Sequence, residues 1–322
     1  IYDPCCGSGG MFVQSLKFVG AHGGNQKNVS VYGQEYTKTT YKLARMNLAI
    51  RGISADIRMG DTFHNDQHKD LKADYIMANP PFNQSGWRAD NELTTDPRWA
   101  GFETPPTSNA NYGWILNILS KLSIDGVAGF ILSNGALSAD GTEKEIRKKL
   151  LEMGKVECIL ILPGKLFYST DISVTLWILN NNKKARTKTK NGNEIHYRDR
   201  EKEVLFFDLR QMAVPYEKKY VELPPETRNK VANTYHVWQQ AGYETSYENT
   251  PEYCYTAKIE EIRDKDYSLV PSKYIEFKNL DTDVDFEAEM TKISTELRSI
   301  LAERKGLDKE LSDLFTSLGY EL

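Results

Sequence analysis

Short apolar runs alternate with amphipathic stretches over about the first 180 residues of the chain. The apolar runs have the length of buried strands and lie at residues 29–33, 55–59, 75–78, 127–132, 156–162 and 174–179, with a further run at 204–208. Stretches with helical periodicity lie at residues 37–51, 112–122, 142–153 and 226–241. This alternation predicts an α/β fold with a mostly parallel sheet covered by helices.

Two polar segments interrupt the alternation. Residues 83–110 are rich in Gly, Pro, Asn, Thr and Trp, and a loop of this length in a compact domain is usually functional or disordered. Because it follows a candidate site, we favour a lid that faces the substrate. Residues 180–202 are charge-rich around a plausible hairpin turn at 191–193, and they form either a solvated loop or a flap that contacts phosphates.

The last segment of the chain carries an apolar stripe with alternating spacings of four and three residues. Its members are Phe286, Met290, Ile293, Leu297, Ile300, Leu307, Leu311, Leu314 and Leu318, with Arg304 at the one polar position. Such a pattern is typical of a coiled coil or of a helix that binds a partner. A terminal helix packed on its own domain is the alternative, but the length and the charged flanks favour a partner.

The composition, 40% hydrophobic and 27% charged, is that of a globular protein, and no apolar stretch approaches the roughly 20 residues of a membrane span. The four cysteines, Cys5, Cys6, Cys158 and Cys254, form neither CxxC pairs nor Cys/His clusters. We therefore expect no metal site and no disulfide framework, and we favour a reducing, cytoplasmic compartment. The net charge of −4 implies that DNA binding would need a basic face or a more basic partner.

A glycine-rich turn lies near the start of the chain, directly before a helical pattern at residues 11–19. The turn comprises Asp3, Pro4, Cys5, Cys6, Gly7, Ser8, Gly9 and Gly10. Glycines at a strand-to-helix turn let the backbone come close to a ligand. The spacing differs from the dinucleotide-binding pattern, and a carboxylate before the glycines suits an ammonium group better than a pyrophosphate.

Two more acidic residues follow candidate strands. Glu35 is placed to bind both hydroxyls of a ribose, and Asp61 is placed to bind an adenine amine with Phe63 near the ring. Each carboxylate alone is more often a turn or helix cap. Together with the glycine turn, they predict a site for S-adenosyl-L-methionine. The expected contacts are Asp3, Pro4, Gly7, Ser8, Gly9, Glu35, Asp61 and Phe63.

A second candidate site, Asn79-Pro80-Pro81-Phe82, follows the apolar run at 73–78. In an open α/β sheet, ligands bind at the carboxyl ends of strands. The Asn79 side-chain oxygen and the Pro80 carbonyl would accept N–H bonds from an amine on a planar base, and these bonds strengthen as the nitrogen gains positive charge. Phe82 would stack on a base that has left its duplex, whereas a Pro-rich turn is the bland alternative.

These motifs resemble those of the amino-methylating DNA adenine methyltransferases. The resemblance rests on the glycine turn and on residues 33–35, 60–62 and 79–82. Residues 128–135, 170–178 and 267–274 are similar to the modification subunit of type I restriction–modification systems. The resemblance covers nearly the whole chain, and it implies a Rossmann-like S-adenosylmethionine-dependent methyltransferase with a C-terminal helical extension.

The resemblance also implies double-stranded DNA as substrate and N6-methyladenine as product. It implies a specificity subunit that reads the sequence, bound through the C-terminal helix, and a restriction subunit for cleavage. In this family a helical domain and another cofactor-contacting motif precede the glycine turn. Because Ile1 looks like the middle of a strand, we expect the sequence to be a fragment of a longer protein.

We therefore expect a catalytic domain at 1–210 with its N-terminal part missing, a polar wrapping segment at 211–283 and a partner-binding helix at 284–322. Two other functions stay open. One is methylation of a protein glutamine amide, which also uses an Asn-Pro-Pro element, and the other is a catalytically silent scaffold. The chemistry alone also leaves N4 of cytosine open as a target, since both bases offer an amine.

Overall fold

The computed structural model describes residues 1–168, 170–190, 193–242, 246–277 and 286–317, and the chain divides into two compact units, Ile1–Phe277 and Lys278–Leu322. The described strands are β1 (Tyr2–Asp3), β2 (Tyr32–Glu35), β3 (Asp56–Met59), β4 (Ala73–Ala78), β5 (Leu122–Ser133), β6 (Val156–Ile161), β7 (Val174–Asn180), β8 (Arg186–Lys190), β9 (Asn193–Tyr197), β10 (Glu203–Asp208), β11 (Val214–Tyr216), β12 (Tyr220–Glu222) and β13 (Cys254–Lys258). The described α-helices are α1 (Gly10–Ala21), α2 (Lys38–Ile50), α3 (Asn111–Ser120), α4 (Thr142–Glu152), α5 (Pro225–Gln239), α6 (Ile259–Asp264) and α7 (Phe286–Ser317).

The first unit is built on a nine-stranded sheet, counted over the described residues, in the order β13-β10-β6-β7-β5-β4-β1-β2-β3. Only β7 and β13 run antiparallel to their neighbours. The mostly parallel sheet that the alternation predicts is therefore confirmed. Every predicted strand and helix of this unit is present, and the largest difference is at β5, which begins at Leu122 instead of residue 127.

Buried apolar residues on one face of the sheet form the largest part of the hydrophobic core. Ile76, Phe130 and Trp177 lie on neighbouring strands of this face and have no exposed surface. The ring of Trp177 stacks on Phe130 at 6.2 Å between centroids and contacts Tyr112 of α3 edge-on at 6.5 Å. The aromatic and branched residues at every second strand position thus join three strands to the helix that covers them.

The opposite face is covered by α5 at one end and by α1 at the other. Cys158, Leu205 and Phe207 pack with Trp238 of α5, and Phe12 of α1 packs in a separate cluster around β2 and β3. Helices on both faces are what a mostly parallel sheet requires, because its strands are apolar on both sides.

Residues 211–277 belong to the same compact unit as residues 1–210. The reason is that β13 pairs with β10 over five residue pairs and extends the main sheet. Two small hairpins, β8–β9 and β11–β12, stand beside the sheet. Within the described parts of the chain, no helix combines the length and apolar character needed to cross a bilayer.

The second unit contains α7, a helix of 32 residues and therefore about 48 Å long. Its stripe of apolar residues is exposed, with 45–60% of each side chain accessible at Met290, Ile293, Leu297, Ile300, Leu307, Leu311 and Leu314. The side chain of Phe286 and all of Leu318 lie outside the described residues. Arg304, at the polar position of the stripe, forms an ion pair with Asp308 at 3.6 Å.

Candidate active site

The glycine turn connects β1 to α1 at the carboxyl edge of the sheet. Gly7 and Gly9 have φ angles of +54° and +74°, in the left-handed region that favours glycine. The Cys6 N–H donates to the Gln34 carbonyl at 2.9 Å, which fixes the turn against β2. A Cβ atom on Gly7 would meet no heavy atom within 4 Å, so the space in front of the turn is open to a ligand.

Asp3 and Glu35 flank this turn from the ends of β1 and β2. The two Glu35 carboxylate oxygens accept N–H bonds from Gly7 at 3.1 Å and from Thr37 at 2.9 Å. Asp3 is buried and accepts the Cys5 N–H at 2.9 Å. Burial raises the pKa of Asp3 to about 7, and the charge of Glu35 acts in the same direction. A buried carboxyl that titrates near neutrality is suited to receive a cationic group.

Asp61 follows β3 and caps the turn after it. One of its carboxylate oxygens accepts N–H bonds from Phe63 at 2.8 Å and from His64 at 3.1 Å. The Phe63 ring is buried in an aromatic cluster, with centroids of both Trp87 and Trp114 at 4.4 Å. The structure therefore brings Asp61 to the same edge as Asp3 and Glu35, whereas contact between Phe63 and an adenine ring stays a prediction.

Three side chains to which the sequence patterns assigned no individual role support this half of the site. Asn47 of α2 donates to the Ser8 carbonyl at 2.7 Å, and the Thr62 hydroxyl donates to the Pro4 carbonyl. Gln34 is fully buried and donates to the Gly60 carbonyl at 3.1 Å. Of these three side chains, only Gln34 could have been found from the sequence, because it is a polar residue inside a short apolar strand.

Asn79-Pro80-Pro81-Phe82 lies at the end of β4, on the same edge. Asn79 is exposed and Pro80 is buried, while Phe82 is half-buried and packs on the apolar cluster between the sheet and α5. Strand β4 pairs directly with β1, with Tyr2 opposite Ile76. Since adjacent strands are about 4.8 Å apart, the glycine turn and Asn79 are close neighbours at this edge.

The long polar loop at residues 83–110 packs against the domain. Trp87 and Trp99 are buried, and the Trp87 indole N–H donates to the Pro106 carbonyl at 2.8 Å. Arg98 forms an ion pair with Asp96 at 2.7 Å and donates to the carbonyls of residues 62 and 63. The loop is thus held onto the turn that follows β3.

The basic segment at residues 180–202 starts on the side of the sheet opposite to the glycine turn and Asn79, where the parallel strands begin. It follows β7, which runs antiparallel to β5, so Asn180 lies opposite Val127, at the amino ends of the parallel strands and far from their carboxyl ends. Lys183 and Arg200 are buried, and Arg200 pairs with buried Glu157 at 3.0 Å. The hairpin is present as β8–β9, but these two cations are part of the core and are unavailable to phosphates.

Comparison with known proteins adds the family to this geometry. The model of the N-6 DNA Methylase family matches residues 1–283. The chain belongs to the N-6 DNA methylase family. The description of this family names methylation of DNA, which speaks against the protein-glutamine alternative.

Individual relatives are named as methylase or methyltransferase subunits. The chain is 39% identical over 325 residues to the type I restriction enzyme HindI methylase subunit of Haemophilus influenzae, a match that covers 100% of this chain and 69% of that protein. It is 35% identical to the MjaIX methylase subunit of Methanocaldococcus jannaschii, over 99% of this chain and 56% of that protein. The structure of a type I methyltransferase subunit from Streptococcus thermophilus superposes with a TM-score of 0.72 at 27% identity, over 86% of this chain and 53% of that one. The chain therefore spans only about half of two of these three relatives.

Replacement of Arg98 by alanine is expected to loosen the loop at residues 83–110. The change leaves partly buried Asp96 and two backbone carbonyls without their cationic partner, and a hydrogen bond to a charged group contributes about 1.5–3 kcal/mol. Amide hydrogen exchange between Trp87 and Trp99 should accelerate by about tenfold or more. Arg58→Ala, which removes an exposed ion pair with Asp56, is the control and should change exchange in the loop little. Equal exchange in the two variants would show that Arg98 does not hold the loop.

Proposed function

We propose that this chain forms the methyl-transferring part of a type I restriction–modification methyltransferase that methylates N6 of adenine in double-stranded DNA. The observation that carries the proposal is the direct pairing of β1 with β4, which places the Asp3–Gly10 turn beside Asn79-Pro80-Pro81-Phe82. The names of the two methylase-subunit relatives support the same assignment.

The residues around the glycine turn fit S-adenosyl-L-methionine. Its ammonium group would lie at Asp3, its ribose hydroxyls at Glu35, and its carboxylate near the N–H groups that begin α1, where a helix favours negative charge. The open space at Gly7 leaves room for this ligand. When bound, it supplies an electrophilic methyl group on a positively charged sulfur.

The acceptor side of the site activates a weak nucleophile by hydrogen bonding. An exocyclic adenine amine has its lone pair delocalised into the ring. The exposed Asn79 side-chain oxygen and the Pro80 carbonyl would accept its two N–H bonds and direct the lone pair toward the methyl group. Neither Pro80 nor Pro81 donates an N–H that would compete for these acceptors.

Phe82 would hold the target base after it leaves the duplex. Stacking of a base on an aromatic ring contributes roughly 1–3 kcal/mol, which offsets much of the few kcal/mol that base flipping costs. The half-buried Phe82 ring packs against the cluster under α5, so its own rotamer is restricted before the base arrives.

The proposal includes two protein partners. A specificity subunit would bind the apolar stripe of α7 through its own helical spacers, and a restriction subunit would complete the assembly. The exposed stripe supports a helical partner, because apolar side chains at a/d spacing pack into those of a facing helix. A cytoplasmic location, where bacterial and archaeal DNA lies, belongs to the same proposal and agrees with the free thiols of all four cysteines.

Replacement of Asn79 by alanine in the full-length protein with its specificity partner is expected to lower the rate of methyl transfer about 10²–10³-fold. The variant loses an acceptor that strengthens in the transition state, whereas binding of S-adenosylmethionine at the other side of the site stays intact. Mass analysis of DNA nucleosides after incubation with labelled S-adenosylmethionine measures the product and the rate together.

The control for Asn79→Ala is Asn233→Ala, at an exposed position of α5, which should keep wild-type turnover. Wild-type protein should yield N6-methyladenine alone. Methylated cytosine, or unchanged turnover of the Asn79 variant, would contradict the proposed chemistry.

The affinity for S-adenosylmethionine is expected to depend on pH through Asp3. Its pKa is raised to about 7, so below this pH the free protein holds a proton that an ammonium group must displace. The Kd should therefore rise by up to about tenfold per pH unit below pH 7 and level off above it, until the ligand amine loses its own proton near pH 8. Calorimetric titration of wild type and of Asp3→Asn measures the Kd at each pH. If the Kd of the variant changed with pH in the same way as that of wild type, Asp3 would not be the titrating group.

A charge on the apolar stripe of α7 is expected to abolish binding of the specificity partner. Leu297→Asp places a carboxylate in the predicted helix–helix seam, while Ala302→Asp, on the opposite side of the same helix, leaves the seam apolar. Co-purification of the full-length variants with the partner distinguishes them. Retention of the partner by Leu297→Asp would refute the assignment of α7.

A further inference from the structure

Asn83 follows Phe82 directly and has an unusual backbone conformation. Its φ angle is +52°, in the left-handed region that residues other than Gly, Asn and Asp rarely adopt. The chain therefore turns sharply as it leaves the base-stacking residue, and side-chain contacts around Asn83 support this turn.

Asn111 supplies that support with a two-point contact. The Asn83 N–H donates to Asn111 Oδ1 at 3.1 Å, and Asn111 Nδ2 donates back to Asn83 Oδ1 at 2.9 Å. Ser133 Oγ and Asn109 Nδ2 donate to the same Asn83 oxygen, at 2.8 Å and 3.2 Å. Three donors thus converge on the side-chain carbonyl of Asn83, and the side-chain oxygen of Asn111 accepts the backbone N–H of Asn83.

The groups that hold Asn83 belong to rigid elements. Asn111 begins α3 and is 1% exposed, and all residues from Asn111 to Ile118 are buried. Ser133, which is 5% exposed, ends β5, the strand that pairs with β4. The ends of the 83–110 loop also meet here, since the Ala110 N–H donates to the Gln84 carbonyl at 2.9 Å.

We propose that Asn111, together with Ser133, is a positioning residue for methyl transfer: it fixes Asn83 and thereby the direction of the Phe82 ring. This inference rests on the proposed function. Packing against the cluster under α5 restricts the Phe82 rotamer, and the support of Asn83 fixes the backbone from which that rotamer projects. A displacement of about 1 Å in a reacting geometry costs about 10²-fold in rate, so a device that fixes the exit of the Asn79–Phe82 element acts on turnover.

The test compares Asn111→Ala with Asn117→Ala in the full-length protein with its specificity partner. Asn117 is a matched control because it is a fully buried asparagine on the same helix and contacts Arg98 rather than Asn83. Both variants should lose thermal stability, Asn111→Ala more than Asn117→Ala, because the Asn111 side chain makes three hydrogen bonds and that of Asn117 one. At a temperature where both are folded, Asn111→Ala should lower kcat about 10–100-fold and leave the Kd for S-adenosylmethionine within about twofold, whereas Asn117→Ala should keep wild-type kcat.

Two isosteric changes sharpen the test and remain informative if Asn111→Ala does not fold. Asn83→Asp keeps the acceptor oxygen for all three donors and should keep kcat within about threefold of wild type. Asn111→Asp loses the donor and sets two oxygens against each other, so it should lower kcat as Asn111→Ala does. Ser133→Ala removes one of the three donors, so its kcat should lie between those of Asn83→Asp and Asn111→Asp.

Equal kcat values for the Asn111 and Asn117 variants, with active wild-type protein, would overturn the positioning role and leave the proposed function standing. The same conclusion would follow if Asn83→Asp and Asn111→Asp behaved alike. Failure of wild-type protein to methylate DNA would overturn the proposed function and this inference with it.

Discussion

Parallel pairing of β1 with both β2 and β4 is the constraint on which the rest of the site depends. Tyr2 lies opposite Tyr32 on one side and opposite Ile76 on the other, although β1 contains only two residues. Tyr2 is fully buried, and its ring packs edge-on against His68 at 5.6 Å, which anchors the register. A shift by one residue would turn Asp3 to the other face of the sheet and remove it from the proposed cofactor site.

The two halves of the site differ in charge, and each half suits a different ligand. The half that we propose binds the methyl donor carries Asp3, Glu35 and Asp61, which suits a cationic cofactor. The half that we propose binds the acceptor base, Asn79-Pro80-Pro81-Phe82, is uncharged. The net charge is −4, and the basic hairpin starts at the amino ends of the parallel strands, away from this site. A separate subunit that grips the DNA fits this charge distribution.

The sequence patterns predict the elements well because local periodicity decides them. The apolar runs, the glycine turn and the Asn-Pro-Pro-Phe element all occupy strands or strand ends of one sheet. The direction of β7 was not predictable in this way, since an apolar run does not reveal whether it pairs parallel or antiparallel. That direction moves the basic hairpin away from the site.

Contacts between distant positions account for what the sequence patterns leave out. Asn83 meets Asn111 and Ser133, which are 28 and 50 residues away in the chain. Arg98 holds its loop through carbonyls at residues 62 and 63, and no spacing rule connects these positions. Phe63 shows the same effect, because its aromatic neighbours come from the loop at residues 83–110 and from α3 and not from the strand that precedes it.

The central claim is that one sheet edge holds the methyl donor against the acceptor amine. The most direct measurement is an experimental structure of the full-length protein with a non-reactive analogue of S-adenosylmethionine and a duplex that contains its target. The account predicts the ammonium group at Asp3, the ribose at Glu35 and the sulfur within about 3–4 Å of an adenine amine bound by Asn79. An analogue bound elsewhere, or a target base that does not reach Asn79, would contradict it.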